Sequence, residues 1–129
     1  MKDIITQKKE NYPEVILRNG LGIVFVLIAM SIFMSPGTWA GYIGKFFVSF
    51  LDLIGLNVIT FMKIVAIFDV AIGILLFLKK YTKIIAAIAF LHLFSVVIST
   101  SALGVYEIAI RDFGLMAAAL TLFFLTEKN

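Results

Sequence analysis

Cysteine is absent from the 129 residues, and histidine and tryptophan occur once each. Without thiols the chain forms no disulfide and offers no thiolate for an iron-sulfur cluster, a Cys-based zinc site or a thiol relay. One histidine, His92, excludes bis-histidine haem ligation within a single copy and the two-histidine sets typical of catalytic metal centres. No metal site is therefore expected, and the chain carries no cofactor group of its own, so redox chemistry would draw on the electrons of a partner or a bound ligand. Charge is scarce as well. Asp, Glu, Lys and Arg make up 15% of the residues, against about 25% in ordinary soluble domains. The bases, three in excess, gather at the ends of apolar runs. There they orient a membrane protein rather than bind nucleic acid, which is not an expected partner.

What the chain has in abundance is apolar sequence. With 62% hydrophobic residues and a mean hydropathy of +1.09, it reads as an integral membrane protein whose first partner is the lipid bilayer. Its length allows about four spans of roughly 20 residues and no soluble catalytic domain beside them. The expectation is all-α: a single membrane domain over residues 1–129, folded as a four-helix bundle.

The polar lead-in, with Lys2, Lys8, Lys9 and Pro13, precedes a first span over about 15–34. A basic lead-in before an apolar run also suits a cleaved leader. The length of the run, Arg18 and Asn19 at its entrance and Pro36 just after it favour a retained span. Pro36-Gly37 breaks the helix. From Trp39 to Leu56 aromatics mix with Lys45 and Asp52, which predicts an interfacial amphipathic helix between spans one and two, or a connecting helix closing the bundle. Further spans follow over about 58–78, 84–103 and 105–125, with Lys79, Lys80 and Lys83 in the hairpin between the second and third. Seven lysines then lie on the side of the termini and only Lys45 squarely on the other, so the positive-inside rule places both termini in the cytoplasm of a multi-pass cell-membrane protein.

Charges at bilayer depth are costly, at least about 2.5–3.5 kcal/mol on insertion scales, and normally face the bundle interior or a polar site. Asp69 and His92 fall near mid-membrane, and a contact between them is predicted. Ser95 and Ser99 share the His92 face, and Ala66 and Gly73 share that of Asp69. A second group lies nearer the outer surface: Lys63, at a depth comparable to Asp112, suits charge neutralisation. Arg111, Gly114, Ala118 and Thr121 would turn one face to the bundle while Asp112 points about 100 degrees away. Arg18 enters from the inner side, where its guanidinium can snorkel to the headgroups. Arg111, Asp112, Asp69, His92, Lys63 and Arg18 are thus the candidates for ligand binding or proton relay, no catalytic residue being assigned. The plain alternative is helix-to-helix adhesion, although polar contacts in membranes contribute only about 0.6 kcal/mol on average.

The stretches Arg18-Asn19-Gly20-Leu21-Gly22-Ile23-Val24-Phe25, Pro36 with Trp39-Ala40, Phe68-Asp69-Val70-Ala71-Ile72-Gly73-Ile74-Leu75-Leu76 and Arg111-Asp112-Phe113-Gly114-Leu115, in that order and spacing, resemble the DoxX family over nearly the whole chain. The resemblance implies a small four-helix membrane protein, some of whose relatives are the membrane subunit of thiosulfate:quinone oxidoreductase or accompany other redox enzymes. Where the second helix of that family commonly carries a glutamate after a glycine, this chain has Phe68-Asp69. The leading expectation is an accessory, non-catalytic membrane subunit that binds a quinone and docks a redox enzyme. Arg111 would hold the headgroup, Asp112 and Lys63 would set its charge, and Asp69 with His92 would relay a proton. A small transporter or channel component, acting as a homo-oligomer, and a structural or assembly protein remain the alternatives.

Overall fold

A computed structural model describes residues 12–126. Among them six helices follow in order and no strand occurs: α1 (Tyr12–Met34), α2 (Pro36–Ala40), α3 (Lys45–Leu53), α4 (Val58–Phe77), α5 (Thr82–Ala102) and α6 (Tyr106–Leu125). α1, α4, α5 and α6 are long and apolar enough to cross a membrane, which gives an integral membrane four-helix bundle. The lysines expected in the first eleven residues and Lys128 lie outside the described residues.

Local sequence explains most boundaries. α1 ends at Met34, and after Ser35 alone, Pro36 opens α2 at a position where its missing N–H costs nothing. Asn57 caps α4, the Ile59 N–H donating to its side-chain oxygen at 2.7 Å. Three helices end in the same closure, in which an N–H returns to a carbonyl five residues earlier: Leu56 to Leu51 at 2.8 Å, Lys80 to Leu75 at 3.2 Å and Val105 to Thr100 at 2.8 Å. Each closure needs one left-handed residue. Gly55 (φ 80°) and Gly104 (φ 78°) fill that position twice, but after α4 it falls to Lys79 (φ 57°).

The segment expected as one amphipathic helix from Trp39 to Leu56 is instead two short helices, separated at Gly41–Gly44. Gly44 adopts an extended conformation, so the chain changes direction before α3 begins. Trp39 and Phe46 therefore belong to different helices. α3 buries only Leu51 and leaves Phe46, Phe50 and Leu53 exposed.

The long helices pair as α1 with α4 and α5 with α6, and contacts between the two pairs are sparser. Small residues set the first pairing. A Cβ on Gly73 would stand 2.9 Å from the Gly22 carbonyl oxygen and 2.7 Å from Val26, so the two backbones approach as closely as glycine permits. Ala86, Ala89 and Ala119, all fully buried, are the small core residues of α5 and α6.

Both pairs close alike at the end where the described chain begins and finishes. Arg18, on α1, donates to the carbonyls of Leu76 and Phe77 at the end of α4, at 2.7 and 3.3 Å. Lys83, on α5, donates to the carbonyls of Phe123 and Thr126 at the end of α6, at 3.0 and 3.1 Å. Each base satisfies last-turn carbonyls that no helix can satisfy internally and complements the negative end of the helix dipole. Arg18 is 7% exposed, so it does not snorkel outward as expected. The opposite end is covered by α2 and α3. There Trp39 donates to Ser31 at 3.0 Å and Ser99 to the Tyr42 carbonyl at 3.0 Å, tying the cover to α1 and α5.

Candidate functional site

The half of the bundle near the termini is filled. Leu21, Phe25, Ile72, Leu76, Leu93 and Leu122 meet there with the alanines of α5 and α6. Toward the cover, Ala29, Ile32, Met62 and Ala66 pack between α1 and α4. The facing stretch of α5 carries small side chains, Ser95, Val96, Ser99 and Thr100. Small residues opposite sparse contacts leave space, and a cavity of about 490 Å³ lies between the four long helices and the cover.

Its walls are mainly apolar and aromatic, with Phe25, Phe47, Phe61, Phe68, Trp39 and Tyr42 among them. Ile64 and Phe68 on α4 and Ser95 on α5 line the cavity and are also exposed, so it opens sideways between these two helices, toward the surface that faces lipid. An apolar chamber with a few convergent polar groups is the ordinary form of a small-molecule site.

Four of the six candidate residues line this space: Asp69, His92, Arg111 and Asp112. Asp69, the twelfth residue of α4, and His92, the eleventh of α5, both sit at about half the length of helices that run in opposite directions. Their side chains meet as expected, with His92 Nε2 3.0 Å from Asp69 Oδ1. The distance is that of a hydrogen bond but the direction is not, and Oδ1 stays buried without a well-aligned donor. Phe68 packs edge-on against the imidazole at 5.3 Å between centroids, and Phe25 lies 6.3 Å from it.

On α6 the arrangement differs from expectation. The buried face is Ala109, Asp112, Met116, Ala119 and Leu122. Gly114 and Thr121, expected on an inward face with Arg111, are exposed. Asp112 is 2% exposed, whereas the Arg111 side chain is 45% exposed and reaches back, donating from Nε to Asp112 Oδ1 at 2.9 Å. The guanidinium also stands 5.9 Å from the Trp39 ring centre, within reach of a cation–π attraction. Arg111 thus links the buried carboxylate to the cover. The expected neutralisation of Asp112 by Lys63 does not occur, because Arg111 takes that place. Lys63 is exposed and forms no ion pair among the described residues. Arg18 is committed to the α4 carbonyls and lies away from the cavity.

Sequence reasoning missed the cover's share of the site. Trp39, Tyr42 and Phe47 form part of the wall, and the only sequence signal was their aromatic character beside a Pro-Gly break. Among the described residues no cluster of three metal-ligating side chains occurs. The chain matches no family model, no curated protein and no solved structure.

Proposed function

We propose that this protein is a ligand-binding accessory subunit of a membrane redox system, of the kind the resemblance to the DoxX family implies, and that its cavity holds the ring of a quinone. The observation that carries this reading is the convergence of Asp69, His92, Arg111 and Asp112 on one aromatic-walled cavity open toward lipid. An apolar ring with polar substituents fits such walls, and a lateral opening admits a molecule dissolved in the bilayer. Arg111, half exposed beside the cover, supplies hydrogen-bond donors to a ring oxygen. Asp69 and His92, within 3.0 Å of one another, are placed to exchange a proton with a ring oxygen. The redox enzyme that would supply or take the electrons is a partner docked on the membrane surface.

In this reading the protein sits in the cell membrane with both termini in the cytoplasm, and α3 lies at the outer interface with Phe46, Phe50 and Leu53 in the lipid. A transport path has less support. The terminal half of the bundle is filled by apolar side chains, so no polar route continues from Asp69 to the other end among the described residues.

The test is thermal unfolding of the detergent-solubilised protein with and without decylubiquinone. A rise in unfolding temperature is expected for wild type and for Lys80→Ala, whose side chain is remote from the cavity. It is expected to vanish in Val96→Trp, which fills the cavity. Equal stabilisation of both variants would place the ligand elsewhere and overturn the reading.

A further inference from the structure

The polar groups of the cavity wall are not equally provided for. Ser95 donates to the His92 carbonyl at 2.6 Å, Ser99 to the Tyr42 carbonyl at 3.0 Å and Thr100 to the Val96 carbonyl at 2.8 Å. The three α5 hydroxyls that line the cavity thereby commit their protons to backbone, and Arg111 Nε serves Asp112. Asp69 Oδ1 is the fully buried polar atom of the wall that is left without a partner. Asp69 is 2% exposed, it lines the cavity, and its Oδ1 receives no hydrogen bond of good geometry. A carboxyl oxygen is an acceptor, and a buried acceptor without a donor is the exception in folded proteins. The three hydroxyls are turned away from it and His92 Nε2, 3.0 Å off, is out of line, so a well-aligned donor is left to whatever occupies the space.

We infer that the occupant presents a ring hydroxyl to Asp69 Oδ1, so that this site takes the hydroxylated, reduced form of a lipophilic ring in preference to the carbonyl form. This inference rests on the reading of the cavity as a site for a quinone-type ligand and specifies which form it holds. A carbonyl oxygen offers lone pairs only. Set against Asp69 as a carboxylate it leaves two acceptors facing each other, which a site built around an unmet acceptor discriminates against. The aromatic wall around the carboxyl, with Phe68 and Phe25 against His92, suits the face and edge of a ring. An ammonium group would also donate to this oxygen, and a cationic amphiphile in the binding comparison separates it from a hydroxyl.

The experiment compares para-decylphenol with its methyl ether, two molecules of almost equal shape of which only the first donates. Trp39 is the single tryptophan and lines the cavity, so its emission reports occupancy. In the detergent-solubilised full chain the phenol is expected to bind about tenfold more tightly than the ether, a difference of about 1.4 kcal/mol. The two are expected to bind within about twofold of each other in Asp69→Ala and in Asp69→Leu, each checked for folding by gel filtration. Equal binding of phenol and ether to wild type would overturn the inference and leave the cavity reading standing. Binding of neither, with wild type folded, would overturn both. Tighter binding of decylammonium than of the phenol would assign the oxygen to a cation and overturn the hydroxyl.

Discussion

Gly73 on α4 meets Gly22 on α1 so closely that a Cβ on Gly73 would stand 2.9 Å from the Gly22 carbonyl oxygen, with Val26 at 2.7 Å. Backbone cannot yield as a flexible side chain does, so Gly73→Ala is expected to force the helices apart and to destabilise the protein by about 1–3 kcal/mol. Gly20 lies on the same helix as Gly22, but a methyl group added there would meet nothing within 4 Å. Gly20→Ala should therefore be neutral or stabilising by up to about 1 kcal/mol. Thermal unfolding in detergent measures both, and equal effects would count against the close approach.

Arg18 is the next point of leverage. Its Nη1 serves the carbonyls of Leu76 and Phe77, 58 and 59 residues away in sequence. Arg18→Met keeps the length of the side chain and removes the donors, and is expected to cost about 1.5–3 kcal/mol, the range for hydrogen bonds to a charged group. Decylubiquinone binding at the distant cavity should survive where the variant remains folded. A loss of binding with unchanged stability would move Arg18 into the site.

The turn after α4 holds a residue in the wrong chemical class. Lys79 adopts φ 57° at the position that Gly55 and Gly104 fill elsewhere. The left-handed conformation costs a non-glycine residue about 1–2 kcal/mol, partly offset by the greater unfolded-state freedom of glycine. Lys79→Gly is expected to raise stability by about 0.5–1 kcal/mol, and Gly104→Ala to lower it by about 1 kcal/mol. Chemical denaturation in mixed micelles resolves differences of that size.

Asp112 is buried and relies on Arg111. Arg111→Ala leaves a carboxylate unpaired in an apolar setting, a change that costs about 3–5 kcal/mol when both partners are buried. The half-exposed arginine reduces this to about 1–3 kcal/mol. Adding Asp112→Leu should return most of the loss, so the double variant is expected to be more stable than Arg111→Ala alone. A double-mutant cycle on unfolding temperature checks it, and strict additivity would count against the pair.

Topology can be read with cysteines, since the native chain has none to interfere. In intact cells a membrane-impermeant maleimide is expected to label Lys45→Cys and to spare Lys80→Cys until the membrane is opened. The reverse pattern would invert the orientation.

The sequence by itself determined the class of the protein: hydropathy, spaced by Pro36-Gly37, Gly55, the lysine hairpin and Gly104, marked four spans, and the same count of residues set Asp69 and His92 at one depth. Those properties are local, because a helix advances a fixed distance per residue and a bilayer accepts only apolar runs of a given length. What only the tertiary structure decided was who meets whom. Arg18 finds its partners nearly sixty residues on, and Asp112 takes Arg111 rather than Lys63. The inward face of α6 turned out to carry Asp112 instead of Arg111, with Ala109, Met116, Ala119 and Leu122 buried in step with it. The cavity too was invisible in the chain. It is the space that remains when glycines draw α1 and α4 together and the small residues of α5 leave room opposite them, a difference between distances that no single stretch of sequence contains.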